Sequence, residues 1–210
     1  MPLCMCTIQA ETASQLLLII FVLLPVLKMS SGNDSCGPPR DDKAAPKLIV
    51  FDLDYTLWPF WVDTHVDPPF AMKGSKVVDS RGKTIKYFPE VPEVLEYIRS
   101  LGIPMAIASR TGEIDGANQL LRLFDWDKYF QYKEIYPGCK ITHFSRFQKA
   151  TGLSHNSMMF FDDEERNIRD LSKEGVHCVF VRKGVTMKLL KDSLREFKNK
   201  NTAELGWSKE

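Results

Sequence analysis

Apolar and polar residues run along this chain in blocks, and the blocks switch between two periods. Residues 47–51 (KLIVF) form a short β-branched apolar run that stops at acidic residues, the mark of a buried strand. In residues 92–101 the apolar positions Val94, Leu95, Ile98 and Leu101 recur at helical spacing, with Pro92 at the start and Gly102 past the end. Residues 103–108 read as the next strand. Residues 113–124 read as a helix with Leu120, Leu121 and Phe124 on one face. A short strand at 132–135 and a helix at 141–151, ending before Gly152, follow. Residues 158–161 (MMFF) are a strand that again stops at acidic residues. Residues 167–174 form a helix closed by Gly175, residues 177–181 a strand, and residues 186–198 a last helix.

Strands that alternate with helices predict a Rossmann-like, three-layer α/β/α domain whose central parallel sheet is covered on both faces. Right-handed crossovers make it doubly wound, and ligands then sit beyond the carboxyl ends of the strands. One segment breaks the alternation. Residues 55–70 (YTLWPFWVDTHVDPPF) are aromatic and proline-rich. Residues 76–79 and 84–88 alternate like strands around Ser80-Arg81-Gly82, which predicts a small β-hairpin flap beside the first acidic cluster. No insertion large enough for a cap domain follows Asp54 or Ser109. Trp58, Phe60, Trp61 and Phe70 read as packing for the flap, the commoner fate of clustered aromatics, ahead of a role at a substrate entrance. His65 and His143 read as structural.

Composition narrows the partners. The 210 residues are 44% hydrophobic and 26% charged, with a formal net charge of +1. Nothing in that balance draws the chain to nucleic acid or to an anionic membrane. The five cysteines Cys4, Cys6, Cys36, Cys139 and Cys178 lack metal-finger or redox-pair spacing. They read as free thiols, which suits a reducing, cytoplasmic setting. Residues 16–27 (LLLIIFVLLPVL) are densely apolar but shorter than the roughly 20 residues of a spanning helix, and Pro25 interrupts them. The length suits a signal-peptide core, yet Glu11 rather than Lys or Arg precedes it. Met29 offers a second start. The run reads as a dispensable extension, with a signal or membrane anchor as the competing reading. Residues 30–46 read as a disordered linker. The chain thus divides into an extension over 1–46, a domain over 47–198 and a flexible tail over 199–210.

The candidate chemistry gathers at predicted strand ends. Asp52 and Asp54 follow the first strand directly, and two carboxylates so close repel unless a cation or shared proton relieves them. A hard divalent ion with oxygen ligands is the natural partner. Ser109, Arg110 and Thr111 end the second core strand, where a hydroxyl and main-chain N–H can hold phosphate oxygens. Lys140 opens the helix after Tyr136-Pro137-Gly138 and offers a point charge for phosphate. Asp162, Asp163 and Glu164 end the strand at 158–161. Each has a plain reading alone: loop caps for the Asp pairs, a strand end for Ser109, a solvated lysine for Lys140. All four at strand ends together point to one site.

These residues resemble the haloacid-dehalogenase-like phosphotransferase superfamily, through the Asp52-x-Asp54-x-Thr56 loop, Ser109, Lys140 and the Asp162/Asp163 pair. Residues 51–70, 108–111, 134–138, 140–144 and 160–164 are similar, more closely, to the eukaryotic magnesium-dependent phosphatase-1 family. The resemblance covers residues 47 to about 197 and not residues 1–46. It implies that Asp52 is a nucleophile passing through an aspartyl-phosphate, and that Asp54 is the general acid and then the base. It implies Mg²⁺ held by Asp52, the main-chain carbonyl of Asp54 and Asp163, with Asp162 supporting. Leu53, Asp54, Ser109, Arg110 and Lys140 would contact the substrate, a phosphorylated small molecule or phosphoprotein. Aryl phosphates like phosphotyrosine and phosphorylated sugars, including fructosamine 6-phosphates on protein amines, are the classes implied. A receiver-like switch that stores the acyl phosphate is the alternative, opposed by the acid/base Asp54. A phosphomutase lacks its cap, and a dead enzyme retaining every motif residue needs a hidden defect.

Overall fold

The computed structural model describes residues 45–204. The apolar run at 16–27, Met29, Cys4, Cys6 and Cys36 lie outside the described residues. Five parallel strands form the central sheet in the order β5-β4-β1-β6-β7: β1 (Leu48–Phe51), β4 (Met105–Ser109), β5 (Phe130–Ile135), β6 (Met158–Asp162) and β7 (His177–Phe180). Alternate residues of each inner strand enter opposite cores. Ile49, Phe51, Met105, Ile107, Met159 and Phe161 face one side, while Leu48, Val50, Ala106, Ala108, Met158 and Phe160 face the other. This two-sided burial is why these segments read as continuous apolar runs rather than alternating ones.

Helices α1 (Val91–Ser100), α2 (Ile114–Leu123) and α5 (Met187–Glu204) contribute to the first core, through Leu95, Leu120 and Leu190 among others. Helices α3 (Lys140–Thr151) and α4 (Glu165–Lys173) contribute Phe144, Phe147 and Leu171 to the second. The three-layer, doubly wound reading therefore holds. The chain runs outward from β1 through β4 to β5, then returns across β1 to β6 and β7, so the strand order reverses at β1. That reversal opens a crevice at the carboxyl ends, where ligands of such folds bind. Among the described residues no helix is long and apolar enough to cross a membrane.

Two elements differ from expectation. The hairpin pairs β2 (Ala71–Lys73) with β3 (Lys76–Val78) about Gly74 and Ser75, one strand earlier than the predicted 76–79 with 84–88. Gly74, at φ +62°, supplies the left-handed residue such a tight turn requires. Residues 84–88 make only the bridge from Thr84 to Val78. The reason is the buried Asp79, whose carboxylate accepts from the main-chain N–H groups of Arg81 and Lys83, so those residues form a side-chain-closed turn. Helix α5 also continues past Lys198 to Glu204, since no Gly or Pro interrupts it.

Gly184 shows how tightly the segment after β7 meets the start of α1. It sits at φ +73°, and a Cβ there would lie 2.2 Å from the Phe88 ring. We expect Gly184→Ala to cost about 2–4 kcal/mol through overpacking and backbone strain. Gly74→Ala, at φ +62° with open space around it, should cost only about 1 kcal/mol. Thermal melts of the two variants check this, and equal shifts would contradict the Phe88 contact.

Candidate active site

Strand pairing places the central charges. β1 and β6 are neighbours in register, Phe51 opposite Phe161, and the Asp52 N–H donates to the Phe161 carbonyl at 2.9 Å. Asp52 and Asp162 therefore leave adjacent strand ends together. Between them comes the ammonium of Lys140, the first residue of α3. Its Nζ donates to Asp52 Oδ1 at 2.5 Å, lies 3.1 Å from Asp162 Oδ2, and donates to the Ala108 carbonyl. The side chain of Lys140 is only 2% exposed. Ser109 ends β4, and its carbonyl accepts from the Tyr136 N–H at 3.1 Å, tying the loop before α3 to the same sheet edge.

A buried ammonium is tolerable only when paired, and here two carboxylates hold it protonated and raise its pKa against burial. Burial pushes the Asp52 carboxyl well up; Lys140 pulls it down, while Asp162 and Asp54 add to the rise. Asp162 is fully buried and satisfied by the Glu164 N–H at 2.6 Å and by the Asn167 amide at 3.0 and 3.2 Å. Asp163 is more open. Burial and the Asp162 charge push it up to about 6.

Asp54 is gripped by the loop that follows it. Its Oδ1 accepts from the Trp58 indole at 2.7 Å and the Val62 N–H at 3.2 Å, which leaves Oδ2 free. Burial nevertheless pushes Asp54 up to about 6, a value suited to giving and taking a proton near neutrality. Of the four flap aromatics, Trp58, Phe60 and Phe70 are buried as packing, but Trp61 stands 49% exposed on the cavity wall.

The cavity has a volume of about 540 Å³ and is lined by Asp52, Asp54, Ser109, Arg110, Lys140, Asp162 and Asp163, as the sequence pattern predicted. The side chain of Leu53 is fully buried in the core, so only its main chain remains for a substrate. Its carbonyl accepts from the N–H groups of Thr56 and Leu57 and turns the loop. Arg110 is tethered to Glu164 at 3.0 Å, while its buried Nε has no partner. The cavity also holds Asn167, which sequence reasoning missed as a functional residue. A buried amide in the first turn of α4 was the available signal, and it bridges Asp162, Glu164 and Arg110.

Six carboxylates (Asp52, Asp54, Asp63, Asp162, Asp163 and Glu164) face this cavity against the two cations Arg110 and Lys140. The excess of buried negative charge and the upward shifts of Asp52, Asp54 and Asp163 fit a hard divalent cation. Among the described residues no three His, Cys, Asp or Glu side chains converge closely enough to hold one unaided. Asp52 and Asp163 with a main-chain carbonyl, such as that of Asp54, and water are the donor set this arrangement offers.

This fold, with acid residues at the ends of β1 and β6 and a lysine between them, defines a haloacid-dehalogenase-like phosphatase. The sequence profile of the family described as Acid Phosphatase matches residues 44–200. A human protein named Magnesium-dependent phosphatase 1 is 57% identical over 161 residues, covering 76% of this chain and 92% of the human one. A HAD-like hydrolase superfamily protein of Schizosaccharomyces pombe is 37% identical over 145 residues, 62% of this chain and 83% of that one. The chain belongs to the acid phosphatase family. The crystal structure of a HAD-superfamily hydrolase from Ehrlichia chaffeensis shares the fold at a TM-score of 0.50 and 12% identity, over 74% of this chain and 97% of that one.

His143, one turn beyond Lys140, carries a pH prediction. It is fully buried, its Nε2 meets the Tyr136 carbonyl at 3.2 Å and its Nδ1 has no partner. Burial and the Lys140 charge push it down from 6.5 to about 4. A histidine whose folded value lies below its unfolded one contributes fully above the unfolded value and loses that contribution as the pH falls. Wild-type stability should therefore drop relative to His143→Gln between pH 6.5 and about 4. Denaturant titrations over that range check it; a constant difference would mean His143 titrates normally.

Proposed function

We propose that this chain is a magnesium-dependent phosphatase that hydrolyses phosphate monoesters through an aspartyl-phosphate on Asp52. The observation that carries the reading is the pairing of Asp52, held by Lys140 at 2.5 Å, with Asp54, which keeps one oxygen free. Asp52 Oδ attacks phosphorus, and Asp54 Oδ2 gives its proton to the departing alkoxide or phenoxide oxygen. Asp54 then takes a proton from the water that attacks the phospho-aspartate, releasing phosphate and regenerating Asp52.

The remaining residues bind and orient. The Ser109 hydroxyl accepts from the Thr111 N–H at 3.4 Å, so its own hydrogen is free for a phosphate oxygen. Lys140, whose three N–H groups are taken by Asp52, Asp162 and the Ala108 carbonyl, keeps Asp52 aimed and sets a positive charge beside the phosphate. Arg110 lines the cavity, where its guanidinium charge suits a substrate anion. A magnesium ion, the ion in the name of the human relative, would be held by Asp52, the Asp54 carbonyl and Asp163 and would neutralise charge between nucleophile and phosphate.

Among the described residues no domain-sized insertion covers the cavity. That openness suits bulky leaving groups: phosphorylated aryl side chains, or phosphorylated sugars including those on protein amines. The receiver-like alternative is weaker, because Asp54 beside the nucleophile promotes loss of the acyl phosphate rather than its storage.

Two outcomes test the reading. Asp52→Asn should lower turnover of an aryl phosphate at least about 10³-fold, and Asp54→Asn about 10²–10⁴-fold. Chelation with EDTA should remove wild-type activity and Mg²⁺ restore it. Robust turnover by Asp52→Asn, or hydrolysis indifferent to EDTA, would sink the mechanism.

A further inference from the structure

The segment that holds Asp54 also displays an aromatic ring that the core does not claim. Trp58 and Phe60 stack on each other, ring centroids 5.6 Å apart, and are buried. Trp61, in the same run, is 49% exposed and lines the cavity beside Asp54. Leaving an indole half exposed forgoes the hydrophobic gain its neighbours make.

Trp61 is nevertheless held firmly. Its N–H donates to His65 Nδ1 at 3.1 Å, and its carbonyl accepts from the His65 N–H at 2.9 Å. The two rings stack at 5.0 Å with an interplanar angle of 15°. Tyr55 meets the indole edge-on at 5.4 Å, and does so from a left-handed backbone at φ +52°. A non-glycine residue in that region carries strain that the surrounding structure must override, and such strain clusters where a site is shaped. The next residue, Val62, donates its N–H to Asp54 at 3.2 Å. One rigid loop thus fixes both Asp54 and the exposed ring.

We infer that Trp61 is a specificity-determining platform on which the ring of an aryl leaving group stacks while its oxygen takes a proton from Asp54. The inference rests on the phosphatase reading above and adds the residue that chooses the leaving group. Stacking asks only for a face, and Trp61 offers one. A sugar would need partners for its hydroxyls as well. Of the polar neighbours beside Trp61, the Thr64 hydroxyl already donates to Asp63 at 2.9 Å.

The test compares kcat/KM for p-nitrophenyl phosphate, glucose 6-phosphate and glycerol 2-phosphate in the wild type, Trp61→Leu and Trp61→Phe, all loaded with Mg²⁺. In Trp61→Leu the preference for the aryl over the acyclic ester should fall roughly tenfold, carried by KM, and Trp61→Phe should retain most of it. The sugar-to-acyclic ratio should not move. An unchanged aryl-to-acyclic ratio in Trp61→Leu would overturn the platform, whether both rates fall or neither does. A fall in the sugar ratio as large as in the aryl ratio would overturn the aryl assignment. A wild type that hydrolyses none of the three would contradict the phosphatase reading itself, a result distinct from any of these.

Discussion

A single buried ammonium holds this site together. Parallel pairing of β1 with β6 brings Asp52 and Asp162 out of the sheet side by side, and two buried carboxylates at that spacing repel. Lys140 between them offsets that repulsion, and the pair of carboxylates is in turn the condition for burying Lys140. Much of the nearby architecture serves that contact. The Tyr136 N–H ties the loop before α3 to β4, and His143 meets the Tyr136 carbonyl from one turn further along. The Asn167 amide and the Glu164 N–H satisfy the oxygens of Asp162. One ammonium leaves negative charge over, and that surplus makes the cavity a place for a divalent cation and a phosphate together.

The loop after β1 meets a second requirement of the proposed mechanism, an acid held next to the nucleophile without being neutralised. Hydrogen bonds from Trp58 and Val62 fix one oxygen of Asp54, while burial keeps the group inclined to carry a proton on the other. Placing the donors on an aromatic loop also carries Trp61 to the rim, so the proposed acid and the proposed leaving-group contact share one element.

Much of this was legible in the sequence, for physical reasons. Strands buried on both faces announce themselves as apolar runs, and the doubly wound order sends whatever follows β1, β4 and β6 to one edge; hence Asp52, Ser109 and Asp162 were found together. Periodicity says nothing inside an irregular loop, so nothing in residues 55–70 distinguished buried Trp58 from exposed Trp61. The hairpin was misplaced because two turns compete there, one closed by Gly74 and one by the Asp79 carboxylate, and a side chain closing on main-chain N–H groups leaves no pattern of its own. The resemblance puts Leu53 at the substrate, and because its side chain is buried in the core that contact falls to its main chain, which periodicity does not reveal. Asn167 was read only as a helix position, because its partner Arg110 follows a different strand, 57 residues away in the chain.

The most direct test of the account follows the phosphoryl group itself. Mg²⁺-loaded protein mixed with a radiolabelled aryl phosphate and quenched in acid during the first turnover should yield a labelled peptide whose label sits on Asp52 and is released by hydroxylamine, as an acyl phosphate is. Label on any other residue, or hydrolysis at full rate with no protein-bound label at any time, would contradict a nucleophilic Asp52 held by Lys140.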